Sequence, residues 1–141
     1  MRRYLSYGGG VDSTALMLWL IDQGVEAEAV YADHGADWPE TREYVAMLRE
    51  KGYPITVLET TRKGLALYEY YQSHRVIPTR MVRHCTVEYK VRPLTEYMKT
   101  PCIVYMGIDA GEAHRVPSSA HLAANGRQRH RRGRRGAHDR R

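Results

Sequence analysis

Cysteine is scarce in this sequence, and long apolar runs are absent. Cys85 and Cys102 are its only cysteines and lie far apart, so they suggest neither a disulfide framework nor the close Cys pairs of a zinc site. An iron–sulfur cluster needs four thiolates, so none is expected. No apolar run approaches the roughly 18 residues that span a bilayer, and the N-terminus lacks a signal-peptide pattern. We therefore expect a cytoplasmic protein with reduced thiols and no membrane segment.

Positive charge is also scarce outside the end of the chain. Residues 116–141 carry eight Arg and one Asp, a net charge of +7, whereas the whole chain has a formal net charge of +6. The preceding 115 residues therefore sum to −1, and the body of the protein is not basic.

Residues 116–141 form an arginine-rich tail with no aromatic residue and a single Leu. Such a composition cannot build a core, so we expect the tail to be disordered. One interpretation is an arm that binds nucleic acid. The other, which we favour, is a frameshift after Arg115, because GC-rich DNA read in a shifted frame yields this mixture of Arg, Gly, Ala, Pro and His.

Residues 1–115 alternate short apolar runs with helical patterns, which is typical of βαβ units. The pattern predicts one α/β domain with a Rossmann-like open parallel sheet and flanking helices. We predict strands at residues 3–7, 27–32, 55–58 and 102–106, and helices at residues 14–23, 39–51 and 65–71. The first helix is apolar on most sides, so it should be packed on both flanks. Residues 76–93 should be irregular.

A glycine-rich loop joins the first predicted strand to the first predicted helix. A strand that runs through three glycines into a helix presents several backbone N–H groups to an anion, although a tight turn with a Ser cap has the same pattern. A Walker loop would end in Gly-Lys-Ser/Thr, and the dinucleotide fingerprint needs a third Gly where Ser13 stands. The candidate nucleotide-binding residues of this loop are Ser6, Gly8, Gly9, Gly10, Asp12, Ser13 and Thr14.

Charged residues outside the loop are further candidates. Asp33 follows the second predicted strand, where open α/β sheets place ligand-binding groups, although a turn Asp is an equal explanation. Lys90 and Arg92 flank one apolar residue, which fits binding of phosphate or sulfate as well as a solvated charge pair. His84 and Cys85 could form a nucleophile pair, but adjacent residues seldom do, and a loop His beside a half-buried Cys is favoured.

The loop resembles the PP-loop of the adenine nucleotide alpha hydrolase-like superfamily, Ser-Gly-Gly-x-Asp-Ser, with Gly8 in place of the leading Ser. Three later segments are similar to the phosphoadenosine phosphosulfate (PAPS) reductase family within it. These segments are Asp33-His34-Gly35 with Trp38-Pro39-Glu40-Thr41, Arg83-His84-Cys85-Thr86 with Lys90-Val91-Arg92-Pro93-Leu94, and Gly107-Ile108-Asp109 with Glu112 and Arg115.

The resemblance implies a domain that binds ATP or PAPS, with Gly107 and Arg115 as further nucleotide-binding residues and Lys90 and Arg92 as catalytic ones. Its chemistry would be sulfur transfer or adenylation with cleavage between the α and β phosphates. A Mg²⁺ ion held by Asp12 or Asp33 would assist, although the sequence predicts no resident metal site.

The resemblance breaks at the end of the chain. Members of the reductase family act through a Cys in a C-terminal Glu-Cys-Gly segment, and this sequence has no Cys after Cys102. Reductase activity is therefore not expected, and whether the chain is an enzyme stays open. The family's sheet has five strands, so its C-terminal part is expected to be missing. Two alternatives remain: a tRNA- or DNA-modifying sulfur-insertion protein, and a nucleic-acid-binding module that acts through its tail. The sequence does not indicate an oligomeric state.

Overall fold

The computed structural model describes residues 1–77, 79 and 84–111, so Arg115 and the tail lie outside the described residues. The strands are β1 (Arg2–Tyr7), β2 (Glu28–Asp33), β3 (Ile55–Glu59) and β4 (Cys102–Met106). The helices are α1 (Val11–Asp22), α2 (Pro39–Glu50), α3 (Leu67–His74), α4 (His84–Thr86) and α5 (Arg92–Tyr97), with a π-helical segment (Val87–Val91) between α4 and α5.

The four strands form one parallel sheet in the order β3-β2-β1-β4. This arrangement confirms the predicted Rossmann-like α/β fold. Because the strands are parallel, their carboxyl ends lie along the same edge of the sheet, together with the loops that follow them.

Helices pack on both faces of the sheet. Residues of alternate strand positions face opposite sides, which produces two apolar clusters. On one face, side chains of β1 and β2 pack against α1 and α2; the buried residues are Leu5, Tyr7, Met17, Ala29, Tyr31, Val45, Leu48 and Ile55. On the other face, Tyr4, Val30 and Met98 are buried, with Leu94 and Tyr97 of α5 packed against them.

Helix α1 differs from its prediction at its start and along one flank. It begins at Val11, three residues earlier than expected, because Gly10 is extended and serves as the N-cap. The second difference concerns packing: Leu18, Trp19 and Ile21 are exposed, so among the described residues α1 is covered on one flank only. The apolar composition of α1 indicates how hydrophobic the helix is, but it does not indicate how many neighbouring elements cover it.

The prediction of irregular structure for residues 76–93 was wrong for its second half. The chain is helical from His84 to Tyr97, through the π-helical segment. Pro93 has no N–H for the bond to the carbonyl four residues earlier, and a wider turn accommodates its ring. Tyr89 is fully buried, and its hydroxyl donates to the Leu65 carbonyl at 3.2 Å. Tertiary packing therefore stabilises a helix that local signals did not predict.

Helix α3 starts two residues later and ends three residues later than predicted. The Glu69 carboxylate accepts the Ala66 N–H at 3.2 Å, which fixes the start, and Arg75 ends the helix in a left-handed conformation with φ of 50°. The remaining strand and helix boundaries agree with the predictions to within one residue.

Candidate functional site

The loop between β1 and α1 is closed by hydrogen bonds to one carbonyl. The Gly10 carbonyl accepts the Thr14 N–H at 3.0 Å, the Thr14 hydroxyl at 2.8 Å and the Ser13 hydroxyl at 3.2 Å. The Tyr7 hydroxyl lies 2.9 Å from the Thr14 hydroxyl, and the Gly8 N–H donates to the Ser13 hydroxyl at 3.4 Å. The hydroxyl groups of Ser13 and Thr14, two of the predicted ligands, are therefore buried and hold the loop in shape.

The backbone amides of the loop remain as the anion-binding groups. The first intrahelical bond of α1 starts from Thr14, so the amides from Gly10 to Ser13 have no acceptor within the helix. The positive end of the helix dipole adds to their potential. Asp12 is exposed in the first turn of α1. This geometry is that of a site for phosphate or sulfate groups.

The surroundings of Gly9 differ from those of Gly8 and Gly10. Gly9 has φ of 73°, and a Cβ atom there would lie 2.7 Å from Thr41 Cγ2 of α2, so it is required by packing. No atom lies within 4 Å of a Cβ built at Gly8 or Gly10. A side chain at either of these two positions would therefore point into open space.

Gly107, which follows β4, packs against the first turn of α1. A Cβ atom at this position would lie 2.8 Å from the backbone of Asp12 and Ser13. The described geometry gives Gly107 a packing role at the base of the loop, beside the nucleotide-binding role expected from the sequence. The close approach of β4 to α1 could not be predicted from the sequence of either segment alone.

Asp33 lies at the carboxyl end of β2, as predicted. Its Oδ1 atom accepts the Gly35 N–H at 3.0 Å, and its Oδ2 atom pairs with Arg42 of α2 at 3.1 Å. The carboxylate thus shapes the turn after β2 and faces the same sheet edge as the glycine loop. Ser6 is partly buried in β1, where it pairs with Val30 and Met106 of the neighbouring strands.

A polar cluster that sequence reasoning missed lies in the same turn. Asp37 accepts a hydrogen bond from the buried Tyr31 hydroxyl, lies 3.3 Å from His34 Nε2 and lies 3.9 Å from Lys90 Nζ. Burial raises the pKa of Tyr31 and lowers the pKa of His34, so both are neutral at pH 7. The contact with Asp37 brings Lys90 to the carboxyl edge of the sheet. The one sequence signal for this cluster was Tyr31, two residues before the Asp-His-Gly segment.

Arg92 does not share this environment. Its guanidinium pairs with Glu88 at 3.1 Å and with Glu96 at 3.2 Å on the exposed side of the helix. The structure therefore brings Lys90, but not Arg92, into contact with the turn after β2.

His84 and Cys85 lie at the start of α4, so the expectation of a loop position for His84 was wrong. The His84 ring accepts a hydrogen bond from Arg62 at Nε2, and its Nδ1 atom lies 3.2 Å from the Tyr71 hydroxyl. Its ring also stacks on Tyr70, with 5.4 Å between the ring centroids. Cys85 is a free, partly buried thiol. These contacts tie α4 to α3.

A separate cleft of about 530 Å³ lies at the opposite, amino-terminal edge of the sheet, between Ile21, Val25 and Pro54. The acidic side chains beside it are Glu26 and Glu28, and Glu28 accepts hydrogen bonds from Thr56 and Tyr97. Negative charge disfavours phosphate, so this cleft is not an alternative anion site.

No group of three or more His, Cys, Asp and Glu side chains with metal-binding geometry occurs in residues 1–77, 79 and 84–111. Within the same residues, no helix has the length and hydropathy needed to cross a membrane.

Comparison with known proteins agrees with this geometry. The profile of the phosphoadenosine phosphosulfate reductase domain matches residues 2–122. The chain belongs to this family. It is also 30% identical over 100 residues to the uncharacterized protein MJ0973 of Methanocaldococcus jannaschii. That match covers 71% of this chain but 23% of the archaeal protein, so the chain spans about a quarter of the length of this relative.

Proposed function

We propose that this PAPS reductase family domain binds ATP or PAPS by its phosphate groups and serves sulfur-transfer or adenylating chemistry with cleavage between the α and β phosphates. The observation that carries the proposal is the start of α1, where the amides from Gly10 to Ser13 have no acceptor within the helix and the loop is open at the Cβ positions of Gly8 and Gly10. Backbone amides at a helix N-terminus are well suited to phosphate oxygens.

Cationic side chains would complete the phosphate site. Lys90 is the better placed of the two proposed catalytic residues, because its ammonium group already lies at the carboxyl edge of the sheet beside Asp37. Arg92 would have to leave Glu88 and Glu96 to reach a phosphate. Positive charge at this point would stabilise the charge that develops when the bond between the α and β phosphates breaks.

A Mg²⁺ ion is compatible with this proposal if the phosphates of the nucleotide supply part of its ligands. Mg²⁺ is commonly bound by one or two carboxylates together with substrate phosphates. Asp12 is exposed in the first turn of α1 and could supply one carboxylate, whereas Asp33 is occupied by Arg42 and the Gly35 amide. When bound, the ion would supply charge neutralisation at the phosphates. The scarcity of cysteine supports a cytoplasmic location as part of the same proposal.

The test is ligand-dependent stability. ATP or PAPS at 100 times its Kd should add about 2.7 kcal/mol to the free energy of unfolding, because only the native state binds it. Gly8→Val should fold as the native chain does, since its Cβ position is open, but should lose the ligand-induced shift in Tm.

Ala15→Val is the control for added bulk, since it places a Val side chain at an exposed position of α1 beyond the loop residues. It should keep the full shift. A normal ligand-induced shift in Gly8→Val would contradict the assignment of the loop, as would the absence of any shift in the native chain with both nucleotides.

A further inference from the structure

Trp38 is an exposed aromatic side chain at the start of α2. It is 80% exposed, although burial of a Trp side chain removes roughly 150–250 Å² from water. Natural proteins expose single apolar residues routinely, so exposure alone assigns no role to it. Its position and its rigid backbone are what set it apart.

The backbone of Trp38 is fixed on both sides. Its carbonyl accepts the N–H groups of Thr41 at 3.0 Å and Arg42 at 3.2 Å. The preceding residue, Asp37, is held by Tyr31 and His34. The indole is therefore presented from a rigid turn, which lowers the entropy that a ligand must remove on binding.

The turn that carries Trp38 is in contact with the glycine loop. Thr41 lies three residues further along α2, about 4.5 Å along the helix axis, and its methyl group is the atom that excludes a side chain at Gly9. An exposed aromatic residue thus begins the helix whose first turn contacts the glycine loop. Val11, the first residue of α1, is 85% exposed at the same edge of the sheet. A planar apolar surface next to a phosphate site matches the two ends of a nucleotide.

From this arrangement we propose that Trp38 is a stacking platform for a nucleobase at the mouth of the site. The inference rests on the proposed nucleotide-binding function and adds a base-recognition element to it. The base would belong either to the bound nucleotide or to a nucleic-acid acceptor. Stacking is sequence-tolerant, because every base presents a π face to the ring.

The experiment uses the two tryptophans of the chain as probe and control. In the full chain with Trp19→Phe, Trp38 is the sole source of tryptophan fluorescence. This variant is titrated with ATP, with inorganic tripolyphosphate and with a single-stranded oligonucleotide. We expect ATP to quench the emission of Trp38, and tripolyphosphate to raise Tm without quenching. Quenching by the oligonucleotide but not by ATP would assign the base to the acceptor and also support the proposal.

Affinity gives the second measurement. Trp38→Leu should weaken ATP binding roughly tenfold, as expected for the loss of one base stack, and should leave tripolyphosphate binding unchanged. Trp38→Phe should restore most of the affinity. Trp19→Leu is the matched control, because Trp19 is also exposed but lies in the middle of α1, and it should change neither affinity.

Two outcomes separate the failure of this inference from failure of the proposed function. If tripolyphosphate raises Tm but neither ATP nor the oligonucleotide changes Trp38 emission, the phosphate site stands and the stacking role is wrong. If no ligand raises Tm or changes emission, both are wrong. Equal losses of ATP and tripolyphosphate affinity in Trp38→Leu would likewise reduce Trp38 to a structural residue.

Discussion

His34 shows how a single buried side chain shapes the site. Its Nδ1 atom accepts the Ala36 N–H at 3.2 Å, so the proton of the neutral ring lies on Nε2 and points to Asp37. Burial lowers the pKa of His34, although the Asp37 carboxylate opposes this effect. Both ring nitrogens are therefore used to hold the turn after β2, and neither is available as a general base.

A pH dependence of stability follows from His34. The folded state disfavours its protonation, so it binds fewer protons than the unfolded chain, whose His pKa is near 6.5. The contribution of the neutral ring is fully present above pH 6.5 and is lost as the pH falls through that value toward the lower pKa of the folded state. We expect His34→Gln to reduce the fall in stability between pH 7.5 and 5.5, measured by urea unfolding.

The exposed His74 of α3 provides the control for this measurement. His74→Gln removes an exposed imidazole, and its pH profile of stability is measured under the same conditions. A profile of His34→Gln that has the same slope as that of His74→Gln would show that burial of His34 has no effect on its protonation.

At the residue scale, only part of the site could be predicted from the sequence. The glycine loop and Asp33 are recognisable because each lies at the end of a predicted strand, where position alone suggests contact with a ligand. The cluster of Tyr31, Asp37 and Lys90 was missed, because its members come from separate elements and meet only after folding. The fully buried Tyr89 was missed for the same reason.

Two elements, β4 and α1, meet at Gly107, and their contact is rigid. A Cβ atom there would lie 2.8 Å from three backbone atoms of Asp12 and Ser13, which cannot rotate away as a side chain can. We expect Gly107→Ala to lower the free energy of unfolding by about 1–3 kcal/mol, as overpacking does. It should also reduce the ATP-induced shift in Tm, because α1 must move to relieve the contact.

Gly8→Ala is the matched control for Gly107→Ala, since its Cβ would meet open space. Urea unfolding without ligand should show no loss of stability in Gly8→Ala. Equal stability of the two variants would mean that β4 does not press on the loop.

The helix from His84 to Tyr97 carries the two proposed catalytic cations on different sides. We expect Lys90→Ala to weaken ATP binding by about 1.5–3 kcal/mol, the usual contribution of a charge-assisted hydrogen bond. Arg92→Ala should have a smaller effect, since its partners in the structure are Glu88 and Glu96. The measurement is ATP affinity by calorimetry.

Two lysines that are exposed elsewhere, Lys51 and Lys99, serve as controls for this pair. Their replacement by Ala should change the affinity by a few tenths of a kcal/mol, as expected for solvated charges. Effects of one size at all four positions would show that Lys90 and Arg92 act only through the overall charge of the domain.

Element types were easier to predict than packing. Short apolar runs located the four strands of the described sheet, and the helical patterns between them located the first three helices, because such patterns depend on local sequence. The π-helical segment and α5 depend instead on the burial of Tyr89 and Met98. Pro93 disfavours a helix locally, so the sequence did not predict these two elements. The exposed flank of α1 was missed because composition does not report how many neighbours an element has.

At the scale of the whole molecule, the parallel sheet explains why distant segments form one site. The glycine loop follows β1, the Asp33 turn follows β2 and Gly107 follows β4, and all three meet at the carboxyl edge of neighbouring strands. Strand order therefore places the two central strands next to the site. Topology of this kind follows from the βαβ pattern, whereas the distances between the loops do not.

The arginine-rich tail provides the last test, which separates nucleotide binding from nucleic-acid binding. Deletion of residues 123–141 removes all eight arginines of the tail and leaves the segment that matches the family, residues 2–122. If the domain binds nucleotide through its loop, the truncated chain should keep the ATP-induced shift in Tm. Any affinity for single-stranded DNA that depends on the tail should vanish with it, together with its salt dependence, because that affinity comes from arginine contacts to phosphates.

A full-length variant with the eight tail arginines replaced by Gln controls for chain length. It should behave as the truncated chain does in both assays, since the tail is expected to act only through its charge. Loss of the ATP-induced shift in the truncated chain but not in the Gln variant would mean that the tail contributes to the nucleotide site by packing. Loss in both variants would assign a role in phosphate binding to the arginines, and the loop of α1 would no longer be the complete site.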